Sequence, residues 1–243
     1  IMTSTLNTNN PIICAVDTTD IPKAERLISS IYSSVGAIKF GLEFFTANGI
    51  IGVDKVSEDL PIEQQLPLFL DLKFHDIPNT VAGAVRAAVR ELNVFMMTVH
   101  ISGGEAMMRA AKDASRTAKE LQPLVVGVTV LTSLDKKDIK AIGTKDTVTD
   151  QVKRLAGLAQ ESGLDGVVCS PHEIEALRTQ CGKDFKLIVP GIRPDGTAHS
   201  DQKRVMTPKE ALAKGADYLV IGRPITEAEN PAQAAKDIFD SLY

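Results

Sequence analysis

The feature that most constrains the fold is a rhythm: short apolar runs alternate with longer amphipathic stretches along the whole chain. The runs are Ile12–Val16, Ala37–Phe40, Leu68–Leu72, Val94–Val99, Leu124–Val130, Gly166–Val168, Leu187–Val189 and Tyr218–Ile221. Runs this short and this rich in Val, Ile and Leu read as strands buried on both faces. Between them, apolar residues recur at the helical spacing of three and four. These segments are Ile21–Ile31, Val81–Leu92, Glu105–Leu121, Val148–Glu161, His172–Leu177, Pro208–Lys214 and Pro231–Leu242. Pro22, Pro208 and Pro231 fall near helix starts, where a missing N–H costs little. Eight strand–helix units in 243 residues predict an α/β fold, a single-domain (β/α)8 TIM barrel over 12–243 behind a polar tail at 1–11. An open doubly wound sheet is the alternative. Against it, no G-x-G-x-x-G follows the first run, which leads into Asp17. The stretch Gly52–Gln65 breaks the rhythm and reads as a surface insertion with a short helix.

Composition narrows the function classes. At 44% hydrophobic residues the chain can bury one sizeable core, and a net charge of -4 provides no global field for nucleic acid or an anionic membrane. An anionic ligand must therefore be held by a local cluster of Lys and Arg. No apolar run reaches the roughly 18–20 residues a membrane helix needs, and the polar Ile1–Pro11 is unlike a signal peptide. Cys14, Cys169 and Cys181 are odd in number and lack metal-type spacing. Free thiols in apolar runs fit a reducing cytoplasm.

A parallel barrel carries its chemistry at the C-terminal ends of its strands. Those ends lead here to Asp17, Lys39, Asp71 with Lys73, His100, Thr132, Arg193, and Gly222 with Arg223. Asp71 and Lys73 are two apart, so an extended chain points both to one side, the barrel interior. Unpaired charges there would cost many kcal/mol. With Lys39 and Asp76 they make an alternating set of Lys and Asp; a strand-end salt-bridge network without catalytic work is the alternative. Two flanking carboxylates favour the ammonium form of Lys73 despite desolvation. A lysine held protonated in a closed site is a proton donor, not a Schiff-base nucleophile. Asp71 beside it supplies a fixed negative charge that a departing carboxylate would escape, a pairing suited to replacing carboxylate by hydrogen.

Gly222-Arg223 at the end of the eighth run suits a barrel phosphate site, with close backbone approach from the glycine and a forked contact from the arginine. Gly103-Gly104 before a helix is a weaker anion candidate. The long Pro190–Arg204 segment, punctuated by Pro and Gly, reads as a lid over a phosphorylated ligand. His75, His100, His172 and His199 lack ligand spacing, and His100 is expected as a hydrogen-bonded interior residue.

At these positions the sequence resembles a known family. "DLKFHDIPNTV" (Asp71–Val81) is similar to the signature of the orotidine 5'-phosphate decarboxylases. The likeness continues through "AVD" ending at Asp17, "KFG" from Lys39, "TVLTS" through Thr132, "VPGIRP" through Arg193, "DQKR" through Gln202 and "GADYLVIGRPIT" through Arg223. The resemblance implies decarboxylation of orotidine 5'-phosphate to uridine 5'-phosphate in pyrimidine synthesis, with no cofactor and no metal. It implies that Lys73 protonates C6, that Asp71 crowds the departing carboxylate, and that Lys39 and Asp17 order the ribose and the charged network. Thr132 would lie near the pyrimidine, while Arg193, Gln202, Gly222 and Arg223 would hold the phosphate end. Asp76, Ile77 and Thr80 complete the substrate contacts, and the family pattern sends Asp76 and Thr80 into the neighbouring subunit of a homodimer. The rivals are an Mg²⁺-dependent phosphosugar enzyme with a similar Asp-x-Lys-x-x-Asp strand, and a non-catalytic phosphate-binding barrel. No nucleic acid and no membrane partner is expected.

Overall fold

A computed structural model describes residues 10–118, 121–194 and 206–243. Eight parallel strands close into a barrel in sequence order. They are β1 (Ile12–Ala15), β2 (Ala37–Gly41), β3 (Leu68–Phe74), β4 (Val94–His100), β5 (Leu124–Val128), β6 (Gly166–Val168), β7 (Lys186–Pro190) and β8 (Tyr218–Ile221). The helices outside are α1 (Ile21–Ile31), α2 (Leu42–Asp59), α3 (Pro78–Glu91), α4 (Glu105–Ser115), α5 (Lys136–Ala141), α6 (Val148–Glu161), α7 (Ile174–Cys181), α8 (Pro208–Ala213), α9 (Arg223–Thr226) and α10 (Pro231–Asp240). Every strand position expected from the apolar runs is occupied, within one or two residues at the ends. No helix among the described residues is long and apolar enough to cross a membrane.

The period of two explains the barrel's two cores. Ile13, Ala37, Phe69, Met96, Val126 and Ile188 point inward and fill the lumen as one buried layer. Their neighbours along the strands, among them Ile12, Cys14, Ile38, Phe40 and Leu70, point outward beneath the helices and form the larger core. One step of two residues above the inward layer come Lys39, Asp71 and Thr98. The same alternation that packs the lumen thus delivers polar groups to its mouth. At the opposite end Asn10 is buried, donating to the Ser34 carbonyl and accepting from the Ile12 N–H.

Helix starts follow local chemistry. Asp20 Oδ1 accepts from the Lys23 N–H at 2.7 Å, and Thr207 and Glu210 form a reciprocal capping box at α8. α4 stops at Ser115, short of the expected Leu121. The Ser115 and Thr117 hydroxyls there donate to the Lys112 and Ala114 carbonyls, at 2.8 Å each, in competition with continued helix.

The stretch Gly52–Gln65 corrects its reading as a surface insertion. It is the second half of α2, followed by a short 3-10 turn at Ile62–Gln64, and Gly52, Val53, Val56 and Leu60 are buried. Gly49, at φ 62, turns the chain sharply inside the helix, a conformation in which a side chain is strained. Ile51, 83% exposed, puts an apolar residue on the wet face and blurs the helical period.

Close strand approach sets one sharp limit. A Cβ on Gly166 would lie 2.2 Å from the Lys186 carbonyl oxygen, which is backbone and cannot rotate away. Gly166→Ala is expected to destabilise the barrel by about 1–3 kcal/mol or more, as overpacking does. Urea unfolding measures this; an unchanged midpoint would contradict the β6–β7 packing.

Candidate active site

A cavity of about 320 Å³ opens at the C-terminal mouth of the barrel, lined by Lys39, Asp71 and Lys73 on one side. Leu131, Thr132 and Ser133 line another part, and Phe69, Val128, Val168, Ile188 and Val220 add apolar surface. This mixture of apolar wall and a few convergent charges suits a flat ring with a polar edge. β5 ends at Val128, two residues earlier than expected; the Thr129 hydroxyl just beyond it donates to the Val168 carbonyl at 2.9 Å, and Thr132 stands on the loop that follows.

The charged set is contiguous. Lys73 Nζ lies 3.0 Å from both oxygens of Asp71, Lys39 Nζ lies 3.3 Å from Asp71 Oδ2, and Asp17 Oδ1 is 3.9 Å from Lys39 Nζ. Within one chain the network therefore runs Asp17, Lys39, Asp71, Lys73. Asp76 does not take the fourth place expected from the alternation: it is exposed, and its Oδ1 accepts from the Ile77 N–H at 2.6 Å. Burial alone would raise the Asp71 carboxyl. Lys39 and Lys73, with hydrogen bonds from Lys73 and Thr98, outweigh that and hold it below its ordinary value.

Asp71 and Lys73 meet, but not by simple strand alternation. β3 and β4 pair Leu70 with Met97 and then Phe74 with Val99, so three residues of β3 stand opposite Thr98 alone. The extra length is absorbed at Lys73, whose φ of 50 is the single positive value for a non-glycine among the described residues. That left-handed geometry costs an ordinary residue about 1–2 kcal/mol. It is held by Thr98, whose Oγ1 accepts from the Lys73 N–H at 2.8 Å and donates to Asp71 Oδ1 at 3.0 Å. Sequence reasoning missed Thr98; the signal was its place two residues above Met96 on the inward face of β4.

Ile77 is 65% exposed, and Thr80 stands exposed in the first turn of α3, beside the mouth but outside the cavity lining. Gly222 and the exposed Arg223 join β8 to α9; a Cβ on Gly222 would come within 3.8 Å of Asp17 Oδ2, so this turn borders the network. The N–H of Arg193, within the segment expected as a lid, donates at 3.2 Å to the carbonyl of Met206, which lies two residues past the end of that segment. Gln202 and His199, with the rest of 195–205, lie outside the described residues. His100 is half-buried with its ring 5.3 Å from that of His75, and no hydrogen bond of its side chain occurs among the described residues, against expectation. Burial, then His75 and Lys73, lower its pKa, against a smaller opposing effect of Asp71. Cys169 also lines the cavity, but burial pushes its thiol well up, making it wall rather than nucleophile.

This geometry coincides with a clear pattern of relatedness. Residues 10–238 match the profile of the Orotidine 5'-phosphate decarboxylase / HUMPS family. The chain is 54% identical to the orotidine 5'-phosphate decarboxylase of Paramagnetospirillum magneticum over 230 residues, covering 93% of this chain and 95% of that one. It is 53% identical to that of Rhodospirillum rubrum, covering 94% and 92%. The crystal structure of orotidine 5'-phosphate decarboxylase from Lactobacillus acidophilus superposes with a TM-score of 0.83 at 34% identity, covering 96% of this chain and 99% of that chain. A profile match across the whole barrel, and relatives half-identical over nearly the full length, establish that the chain belongs to the Orotidine 5'-phosphate decarboxylase / HUMPS family.

Proposed function

We propose that this chain decarboxylates orotidine 5'-phosphate to uridine 5'-phosphate and CO2, in pyrimidine nucleotide synthesis, using the Asp17–Lys39–Asp71–Lys73 network. The observation that carries this reading is one buried carboxylate flanked by two ammonium groups on the wall of a barrel-mouth cavity. The C6–carboxylate bond breaks, its electron pair stays at C6, and Lys73 Nζ delivers the proton that replaces the lost carboxylate. Solvent then returns a proton to Lys73. Asp71 faces the departing carboxylate and orients the Lys73 ammonium. Lys39 and Asp17 order the ribose and the network, Thr132 lies near the pyrimidine, and Arg193, Gln202, Gly222 and Arg223 hold the phosphate end.

The protein works as a homodimer in which Asp76 and Thr80 reach the partner's substrate, and Ile77 lies between them in the chain. Two features support this: Asp76 stands outside its own chain's network, and Ile77 exposes a large apolar side chain beside it. A cytoplasmic setting suits three buried free thiols.

The direct test follows the absorbance of orotidine 5'-phosphate with and without EDTA. Turnover insensitive to EDTA is expected, whereas an EDTA-sensitive reaction on a phosphosugar would favour the Mg²⁺-dependent branch of the family. Lys73→Ala should lower kcat by at least the 10²–10⁴-fold typical of losing a general acid, roughly; near wild-type turnover would remove Lys73 from the mechanism.

A mixing experiment addresses the shared site. Lys73→Ala and Asp76→Ala, each inactive alone, should regain about one quarter of wild-type activity when dissociated and reassociated together, because half the dimers then carry one intact site of two. No recovery would place Asp76 in its own subunit's site.

The depressed Asp71 pKa fixes a pH window. A carboxylate whose folded pKa lies below its ordinary 3.8 contributes stability that is fully present above that value and is lost as pH falls through the folded pKa. The unfolding free-energy difference between wild type and Asp71→Asn should thus be constant from pH 5 to 7, roughly, and shrink below pH ~4. A difference that grows on acidification would reverse the sign assigned to the network.

A further inference from the structure

We propose that Thr98 is a positioning residue for the decarboxylation: its single hydroxyl sets the backbone of Lys73 and the carboxylate of Asp71 together. The inference rests on the reading of Lys73 and Asp71 given above. Thr98 is completely buried and does not line the cavity, so it acts only through its neighbours.

The argument begins with an irregularity in the sheet. Asp71, Leu72 and Lys73 stand opposite the one residue Thr98, so the ladder between β3 and β4 is interrupted where the charged pair sits. The Lys73 N–H, turned by a φ of 50, finds its acceptor in the Thr98 side chain instead. The hydroxyl oxygen receives that N–H and must direct its own proton elsewhere; the acceptor is Asp71 Oδ1. Asp71 in turn accepts from Lys73 Nζ at 3.0 Å. The hydrogen bonds close a ring that begins at the backbone of Lys73 and returns at its ammonium. One atom therefore couples the strained main chain of the proton donor to the partner of its own side chain.

The ring requires a particular chemistry at position 98. A hydroxyl both accepts and donates at one atom. Valine has nearly the same shape and can do neither, leaving the Lys73 N–H without its acceptor and Asp71 without one of its donors. Serine keeps the hydroxyl and gives up only a methyl group. The substitution series thus separates the ring from mere filling of space.

The test compares Thr98→Val, Thr98→Ser and Lys73→Ala in steady-state turnover of orotidine 5'-phosphate, with thermal unfolding measured alongside. Thr98→Val is expected to lose about 10²-fold in kcat, the scale of a small misplacement of a catalytic group. Its KM should stay close to wild type, because the phosphate contacts are untouched. Thr98→Ser should recover most of the lost kcat even if its melting temperature remains lowered. A merely structural threonine would instead lower the melting temperature of both variants and leave kcat per folded protein unchanged. Should Thr98→Val fail to fold, Thr98→Ala removes the same hydroxyl in a smaller side chain and is read in the same way. The inference is overturned if the hydroxyl-free variant turns over at the wild-type rate, or if serine is as impaired as valine, while Lys73→Ala is inactive. If Lys73→Ala itself stays active, the site reading beneath it fails instead.

Discussion

Asp71 can remain charged inside the barrel only because its oxygens are surrounded. Lys39 and Lys73 supply opposite charge, and Thr98 supplies a hydroxyl proton, so the desolvation that would neutralise a lone carboxylate is more than offset. Much else at the mouth follows from keeping that carboxylate ionised. Lys39 must sit on the inward face of β2, Lys73 must leave the ideal strand, and β4 must offer a polar residue where the lumen is otherwise apolar. Removing any one leaves a group of the others with a partner missing in a place water reaches poorly.

The two ends of the barrel use carboxylates in different ways. At the N-terminal end, Asp165 and Asp217 each accept a backbone N–H from the neighbouring strand, from Val125 at 2.7 Å and Leu187 at 2.8 Å. Each also takes a cation, Lys112 for Asp165 and Arg178 for Asp217. Arg178 goes on to bind the carbonyls of Gly182, Phe185 and Gly215. These groups are locked to main chain, and they join strands. Asp71 accepts no backbone N–H at all among the described residues; its partners are side chains that can exchange one another for a ligand. In the proposed reaction that difference separates the buried charge used for chemistry from those that hold the frame.

The same contrast explains what was legible in the sequence. Strands buried on both faces write themselves as apolar runs, and the polar residues at their C-terminal ends stand out against that background, so the strand-end places of Lys39, Asp71 and Lys73 are legible in the sequence alone. α2 was not read as a helix from its start at Leu42, because Gly49 and Gly52 weaken its helical signal and Ile51 breaks its apolar face. Thr98 was hidden for the opposite reason: a threonine in an apolar strand is an ordinary β-former. Its importance depends on a register shift of two residues that no local pattern records. Asp71 and Lys73 were rightly brought together, but through a left-handed residue rather than the even alternation that suggested it. Asp165 and Asp217 share one geometry just before β6 and β8, and the pattern Gly-x-Asp-x-x-Val common to 163–168 and 215–220 is too short to stand out as a repeat.

Magnitudes decide how the proposed reaction uses this arrangement. Cofactor-free loss of carboxylate belongs at the demanding end of enzyme catalysis, where the barrier must fall by about 20 kcal/mol. Repulsion between Asp71 and a substrate carboxylate at about 4 Å is worth about 4 kcal/mol at an effective dielectric near 20. Lys39 and Lys73 attract the same carboxylate, and two ammonium groups against one carboxylate leave the inner triad positive, so net destabilisation of the bound substrate is smaller still. Most of the effect must therefore come from interactions that strengthen as negative charge develops at C6. Lys73 is the group placed to supply them, and a mobile ammonium would spend part of that advantage on reorganisation. Holding Lys73 at both its backbone and its Nζ, as the ring through Thr98 and Asp71 does, removes that freedom before the substrate arrives. On this view the chief task of Asp71 is to aim the ammonium, and its repulsion of the departing carboxylate is the lesser contribution.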